Sequence, residues 1–293
     1  MSDVHDLPRP KMFRKNGIAG YEGGIVVTED AGKTWKMTSS DIGEGAMTHV
    51  LIDPASSKES RTIYACVFGK GVYKSLDGGE SWKQKNNGIS GNEPFAWRIT
   101  RRDKDGVLFL VVNRRSDDGS IGNAGDGAVY RSDDGAETWK LVVLPSGTNA
   151  PMSLVTDEED AGRILMSAWG RDTKSKLSPD TGGGIFISKD EGKTWSAVMS
   201  NDQHIHDITY DPRNKTYYAC GFNGSAYRSA DKGESWTRIK GYNFKWGKRV
   251  DPDPSDPDKI SIITFGGGVW HGPAKGDANS TEDIVTPVLK YKE

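Results

Sequence analysis

The stretch Ser75-Leu-Asp-Gly-Gly-Glu-Ser-Trp82 recurs, with small changes, at five places in the chain. The shared frame is Ser/Thr-x-Asp-x-Gly-x-Thr/Ser-Trp, and the other copies occupy residues 28–35, 132–139, 188–195 and 229–236. Four copies match all five fixed positions, whereas the third has Ala136 in place of the glycine. A motif that recurs at a near-regular interval indicates a repeat architecture, and this evidence outranks local propensities.

Each copy is predicted to be the loop of a β-hairpin, since a glycine and a run of β-formers precede it and a short strand follows. The Asp carboxylate can accept N–H bonds from its own turn, the Gly permits a positive φ, and the Trp buries a large apolar face. Ala136 predicts that the third turn has a different shape. The residues assigned to this structural role are Asp30, Trp35, Asp77, Trp82, Asp134, Trp139, Asp190, Trp195, Asp231 and Trp236.

The spacing of the five aspartates predicts one four-stranded antiparallel blade per repeat. Successive aspartates are 47, 57, 56 and 41 residues apart, which suits an all-β β-propeller. We expect a single domain over residues 1–293 with six blades, at about 3–40, 47–86, 95–144, 151–199, 205–240 and 247–291. The alternative is the C-terminal part of a larger propeller with seven or eight blades.

The repeated frame is similar to the Asp-box, or BNR repeat, and the chain therefore resembles the sialidase-like propeller superfamily. The resemblance implies the propeller fold and a ligand site on the face away from the boxes. It does not extend to true sialidases, since the Phe/Tyr-Arg-Ile-Pro signature is absent and no Tyr–Glu nucleophile pair can be assigned. Because many activities share this fold, the resemblance is less specific for function than for architecture.

Composition restricts the classes of partner. The 39 basic and 41 acidic residues give a net charge of −2, which does not favour nucleic acid, and no apolar run is long enough to predict a membrane span. The first residues lack the apolar run of a signal peptide. A secreted or periplasmic location is nevertheless the expectation for a carbohydrate-active propeller. Cys66 and Cys220 occupy equivalent strands three blades apart and are predicted to be buried free thiols.

A candidate site follows from aligning the first strand of every blade on its initial apolar residue. The preceding residue in each blade is Asp6, His49, Arg98, Ser153, Asp207 or Arg249, and the one before that is His5, Thr48, Trp97, Met152, His206 or Lys248. Carboxylates, imidazoles and guanidiniums at one depth of a channel indicate a polar ligand site. The alternative is that polar residues are simply tolerated at exposed strand ends.

Outside this ring, the same face is predicted to carry Arg114, Trp169 and Trp246 as ligand-binding residues, and within the ring Trp97 is predicted to share this role. Aromatic rings suit the C–H faces of sugars, while packing between blades is the structural alternative. The run Asp251–Asp258 lacks the sixth-position Gly and the final Glu of a calcium loop, so no metal site is predicted, and no cofactor is indicated.

Two functional hypotheses remain open. The first is a glycoside hydrolase or another polysaccharide-degrading enzyme, with Asp6 and Asp207 as the carboxylate pair and His5 and His206 in acid–base roles. The second is a non-catalytic propeller that binds a glycan or a protein, or that assembles with a partner or a further chain segment. An oligo- or polysaccharide is the expected ligand.

Overall fold

The computed structural model describes residues 13–15, 18–20, 23–43, 45–91, 94–113, 127–171, 180–222, 226–242 and 246–280. His5, Asp6 and Arg114 lie outside these residues. The described part is built of β-strands, with one short 3-10 helix at Ser40–Ile42. None of its residues forms a helix with the length and apolar character of a membrane span.

The strands form short antiparallel sheets that follow one another along the chain. Two of the sheets have two strands each: β1 (Phe13–Lys15) with β2 (Ile18–Gly20), and β3 (Val26–Val27) with β4 (Lys36–Met37). The next sheet contains β5 (Met47–Ile52), β6 (Ile63–Val67), β7 (Gly71–Ser75) and β8 (Lys83–Gln84). The sheet after it contains β9 (Ala96–Arg101), β10 (Leu108–Val112), β11 (Ala128–Ser132) and β12 (Lys140–Val142).

Three further sheets complete the described fold. The first contains β13 (Ala150–Thr156), β14 (Ile164–Trp169), β15 (Gly184–Ser188) and β16 (Ser196–Met199). The second contains β17 (Ile205–Asp211), β18 (Thr216–Gly221), β19 (Ala226–Ser229) and β20 (Thr237–Arg238). The last contains β21 (Gly247–Pro252), β22 (Lys259–Thr264) and β23 (Val269–Pro273).

The sheets are propeller blades whose first strands lie side by side. Contacts link β5 to β9, β9 to β13, β13 to β17 and β17 to β21. The apolar core lies between blades, because the first strand of each blade packs on the second and third strands of the preceding one. Ile99 of β9 thus joins a buried cluster with Cys66 and Val72, and Val250 of β21 joins one with Cys220. The predicted all-β propeller of four-stranded antiparallel blades is confirmed, while its exact division into six blades stays a prediction.

Four of the repeated motifs are the turns between the third and fourth strands of four-stranded blades, and the first is the turn between β3 and β4; all five share one set of hydrogen bonds. In the first motif, the Asp30 carboxylate accepts hydrogen bonds from the Thr34 N–H and from the Thr28 hydroxyl, each at 2.8 Å. The Thr28 hydroxyl oxygen in turn accepts the Gly32 N–H at 2.8 Å. The Thr34 hydroxyl is the main cause that lowers the pKa of Asp30 to about 2. These carboxylates are therefore ionised and occupied in holding the turn.

The expectation of a different third turn was wrong. Gly135 and Ala136 have φ of 69° and 71°, while Glu191 and Gly192 in the fourth turn have 62° and 87°. The left-handed pair of residues is thus the same in both turns. The Ala136 N–H also donates to the Ser132 hydroxyl at 2.9 Å, as the glycine does in the other copies. The hydrogen bonds hold Ala136 in a conformation that normally favours glycine.

Three of the five box tryptophans form hydrogen bonds to a neighbouring blade, whereas Trp35 and Trp236 donate to the glycine of their own turns. The indole N–H groups donate to carbonyls of the preceding blade, from Trp82 to Thr38 at 2.7 Å, from Trp139 to Lys85 at 2.9 Å and from Trp195 to Val143 at 3.1 Å. A glutamate in each of four boxes also forms an ion pair with a basic residue of the preceding blade. These pairs are Lys36–Glu80, Lys74–Glu137, Arg131–Glu191 and Lys189–Glu234.

The two cysteines are free and buried, as the sequence predicts. Burial raises the pKa of both thiols, so neither is poised to react.

Candidate functional site

A β-bulge lies near the start of every described first strand, on the face opposite the boxes. The register between first and second strands shifts at Thr48, Trp97, Met152, His206 and Lys248. These are the residues that the sequence alignment places two before the common apolar position. A bulge sets two residues against one on the neighbouring strand and re-aims their side chains. The same irregularity in five successive first strands therefore places these residues along one rim of this face.

The predicted catalytic residue Asp207 is buried and joins four first strands. One carboxylate oxygen forms an ion pair with Arg98 of β9 and accepts the Ser153 hydroxyl of β13 at 2.9 Å. The other oxygen accepts the backbone N–H of Val250 in β21 at 3.2 Å. The Arg98 guanidinium also donates to the Ser153 hydroxyl at 2.7 Å. We call Arg98, Ser153 and Asp207 the clasp.

Two of the predicted histidines, His49 and His206, are held neutral. Burial lowers the pKa of each to about 3, and neighbouring cations, which include Arg98 in both cases, lower it further. The Nδ1 atom of His49 is buried and has no hydrogen-bond partner among the described residues. Neutral imidazoles can each accept one hydrogen bond and donate another, which suits hydroxyl groups rather than anions.

An aromatic group lies beside the clasp. The ring of Trp169 is 4.5 Å from that of His204 and 4.7 Å from that of His206, and it meets the edge of Phe222 at 5.6 Å. Phe222 in turn stacks on Trp246 at 5.4 Å. We call these five residues the aromatic surface. Trp169 is itself only 4% exposed and belongs to a buried cluster with Ala150 and Met152, so the packing alternative describes its indole.

Trp246 is the exposed end of the aromatic surface. Its φ of 68° is rare for a bulky residue, and its backbone is held by hydrogen bonds with Phe222 and Phe265. Non-glycine residues persist in this region only where their surroundings impose it, and they are common at ligand sites. The fold therefore presents this indole to solvent at a cost in backbone energy.

The remaining predicted residues are divided between packing and the rim. Trp97 packs against Phe68, edge to face at 6.4 Å, and against the buried cluster around Met152. Lys248 is exposed and lies over the ring of Phe265 at 5.8 Å. Arg249 is exposed and pairs with Asp251 at 3.1 Å.

Sequence reasoning missed part of this site. His204 pairs with Asp180 at 3.1 Å, and Phe222 lies between Trp169 and Trp246. The sequence contains one signal that points to His204, the alternation His204-Ile-His206, which places both imidazoles on one side of a strand entry. Phe222 follows β18 directly, in the same position that Phe68 has after β6, so the repeat could also have identified it.

Comparisons with known proteins agree with this architecture. The model of the BNR/Asp-box repeat matches residues 186–197. A xyloglucanase from a Paenibacillus species is 27% identical over 285 residues, covering 83% of this chain and 25% of the relative. The chain thus spans about a quarter of the length of that curated relative.

Among solved structures, the GH74 xyloglucanase from Xanthomonas campestris gives a TM-score of 0.62 at 16% identity, covering 92% of this chain and 43% of that one. YCF48 from Cyanidioschyzon merolae gives 0.54 at 16% identity, covering 82% and 71%. At this level of identity the likeness concerns the fold. The chain thus contains a BNR/Asp-box repeat and has a β-propeller fold similar to that of these proteins.

Proposed function

We propose that this propeller is a carbohydrate-active protein of the glycoside hydrolase or polysaccharide-degrading type, and that it binds a glycan on the face opposite the boxes. The aromatic surface beside the clasp is the observation that carries the proposal. Indole and phenyl rings cover the C–H faces of sugars, while imidazoles and guanidiniums bond their hydroxyls. The similarity to xyloglucanases over most of this chain supports the same class of ligand.

The charges of the described site favour a neutral glycan over an acidic one. Arg98 is already paired with Asp207, and Arg249 with Asp251. His49 and His206 carry no charge near neutral pH, because the pKa of each is about 3. An anionic ligand that used Arg98 or Arg249 would have to displace a carboxylate that is already bound, at a cost that a neutral polyol does not incur.

The binding proposal is tested by titrating the protein with neutral and uronate-bearing oligosaccharides in a calorimeter. Neutral oligosaccharides should bind, and Trp246→Asn should weaken binding about tenfold, equivalent to ~1.4 kcal/mol. Asparagine tolerates the positive φ, so the variant removes the indole and keeps the backbone. The control is Trp35→Ala, which removes an exposed indole from another face. Equal weakening in both variants, or no binding to any glycan, would contradict the proposal.

For hydrolysis, the predicted carboxylates are Asp6 and Asp207, with His5 and His206 assisting proton transfer. Because Asp207 is ion-paired with Arg98, we assign it the role of base or nucleophile rather than that of acid. The acid role would then fall to Asp6. Hydrolysis with retention requires the two carboxyl groups to be about 5–5.5 Å apart, and inversion about 6.5–9.5 Å.

Release of reducing sugar from neutral polysaccharides tests this mechanism. Asp6→Asn should abolish release. Asp207→Asn should abolish release and also cost about 3 kcal/mol of folding free energy, because Arg98 loses its buried partner. Full activity in Asp6→Asn would rule out the assigned pair.

The alternative is a non-catalytic propeller that binds a glycan or protein or assists assembly. The clasp favours this non-catalytic alternative, since the contacts of Asp207 with three other first strands give its carboxylate a structural role. Glycan binding without any release of reducing sugar would identify this second function. A polysaccharide ligand implies a secreted or periplasmic protein, which fractionation of the native host would test.

A further inference from the structure

A cavity of about 400 Å³ lies on the box face of the propeller, by which we mean the face that carries the box turns. The described first strands begin at the opposite face, beside the clasp, so their last residues lie on the box face. The cavity is formed by the ends of three neighbouring first strands, β9, β13 and β17, and by the turn that follows β13. Its volume is within the range of small-molecule sites, and it is separate from the proposed glycan site.

Three hydroxyl groups line this cavity without a hydrogen-bond partner among the described residues. They belong to Thr156, Thr209 and Tyr210. Thr156 is only 6% exposed, and a buried hydroxyl that makes no hydrogen bond costs free energy. The neighbouring hydroxyl of Thr100 differs, since it donates to the Leu154 carbonyl at 2.9 Å. The unpartnered hydroxyls therefore indicate a polar ligand.

The charge of the cavity is negative. The turn after β13 contributes three successive carboxylates, at residues 157–159. Of the described residues that line the cavity, only Arg101 is basic, and it forms ion pairs with Asp53 and Asp103, which lie outside the lining. Asp157 is buried, and its carboxylate is 3.9 Å from the Arg163 guanidinium. These charges favour a cationic ligand over a neutral or an anionic one.

Tyr210 gives the cavity an aromatic wall. Its ring packs on that of Tyr217 at a centroid distance of 4.5 Å. Burial raises the pKa of the Tyr210 phenol, and the charges of Asp157 and Glu159 raise it further, so both carboxylates act on this wall. An aromatic ring beside carboxylates is a favourable surroundings for an organic cation.

The three carboxylates do not form a metal site. Within the described part of the chain, no group of three His, Cys, Asp or Glu side chains could hold a metal ion. A quaternary ammonium would leave the hydroxyls unpartnered, because it has no N–H group. A primary ammonium has three N–H donors, and hydroxyl and carboxylate oxygens can accept all of them.

We propose that this cavity binds a primary ammonium group carried on a short alkyl chain. The ammonium would donate to the hydroxyl oxygens of Thr156 and Thr209 and to the Asp157 carboxylate. The alkyl chain would lie against the ring of Tyr210 and the side chain of Leu154. The site would give the propeller a second ligand on the face opposite its glycan.

The experiment titrates the full chain with n-butylammonium and, as the uncharged match, with butan-1-ol, and follows the backbone amide resonances by NMR. The amine should bind at least about tenfold more tightly than the alcohol, because charge-assisted hydrogen bonds are stronger than neutral ones. The largest shifts should fall at residues 155–159 and 209–211. Equal binding of amine and alcohol, no binding of the amine, or shifts confined to other residues would overturn the proposal.

Two variants test the assigned groups. Thr156→Val keeps the shape of the side chain, removes one acceptor and should weaken binding of the amine about tenfold. Glu159→Gln should weaken it about threefold, since this carboxylate is exposed and screened by water. Urea unfolding checks that both variants fold. An unchanged affinity in Thr156→Val would overturn the proposal.

Two control variants locate the amine. Glu80→Gln removes an exposed carboxylate from a box turn, and Trp246→Asn removes the exposed indole on the other face. Neither change should alter the affinity for n-butylammonium. A loss of amine binding in Trp246→Asn would place the cation on the aromatic surface and overturn the proposal, while the affinity for oligosaccharides is measured separately and tests only the proposed function.

Discussion

Among the titratable residues that the structure describes, His49 and His206 are those whose protonation the fold opposes most strongly. Both have a pKa of about 3 in the folded chain against an ordinary value of 6.5, chiefly because they are buried. The unfolded chain therefore binds protons that the folded chain excludes. Folding stability should fall as the pH is lowered from about 6.5 toward 3, by up to about 1.4 kcal/mol per pH unit for each histidine.

The double variant His49→Asn/His206→Asn should show a flatter dependence of the free energy of unfolding on pH between about 6.5 and 4. Urea unfolding at a series of pH values measures this pH dependence in the wild type and the variant. The box aspartates do not obscure this window, since the pKa of Asp30, Asp134 and Asp190 is about 2 and their stabilisation is lost only below about pH 4. A slope that is the same in wild type and variant would mean that other groups govern acid sensitivity.

The sequence predicted which residues share one depth of the channel but not which of them bond. Alignment on the apolar position placed Arg98, Ser153 and Asp207 in neighbouring blades, and the structure brings all three into the clasp. Whether these side chains bond depends on how far each extends toward the neighbouring blades, which the residue types alone do not specify. The same holds for Trp246, whose positive φ depends on contacts from two other segments.

At the scale of elements, the box hairpin is a local turn whose tryptophan is buried by the neighbouring blade. Trp139 and Trp35 occupy the same motif position, yet Trp139 is buried against the preceding blade and Trp35 is exposed. Comparing the two residues therefore separates the stability that the tryptophan gives to its own turn from the stability that it gives to the contact between blades.

Trp139→Ala should reduce the free energy of unfolding by about 3–5 kcal/mol, because it leaves a cavity and removes the indole bond to Lys85. Trp35→Ala should cost less than about 1 kcal/mol in dilute protein, as a surface substitution. Denaturant unfolding of both variants at one low concentration makes the comparison. Equal losses would show that the turn, rather than the contact between blades, needs the indole.

The sequence indicated the hairpins because the hydrogen bonds of each turn join residues of one eight-residue motif. It could not indicate the bulges near the starts of the first strands, since a bulge is defined by the register against a second strand. The third turn was predicted wrongly because the motif glycine was taken as necessary. In the structure the hydrogen bonds of Ser132 and Asp134 impose the positive φ on Ala136.

For the whole molecule, the ion pairs between blades differ in burial and therefore in energy. Glu191 binds Arg131 and also Arg102, whose side chain is buried, while Glu80 and Lys36 are both exposed. Exposed pairs contribute little because water screens them and side-chain entropy opposes them.

Glu191→Gln should therefore destabilise the protein by about 1–2 kcal/mol, since it weakens charged hydrogen bonds to a buried guanidinium. Glu80→Gln, its matched control, should change stability by less than about 0.5 kcal/mol. Thermal unfolding at low and high salt checks both values. A larger effect at Glu80 would contradict the assignment of energy by burial.

At this scale the sequence predicted the architecture, because the five boxes mark the blades. It did not predict which apolar residues of the described blades stay exposed. The exposure of Val26 and Val269 is recognised only by comparison with their buried equivalents in other blades.

The direction of the tryptophan bonds has a consequence for biosynthesis. The indole N–H groups of Trp82, Trp139 and Trp195 each bond to a carbonyl that precedes them in the chain. During translation, the segment that accepts each bond has thus left the ribosome before the tryptophan that donates to it. Every new blade can dock at once on a finished predecessor, so the protein can assemble in step with its own synthesis, with little apolar surface waiting for residues still to come.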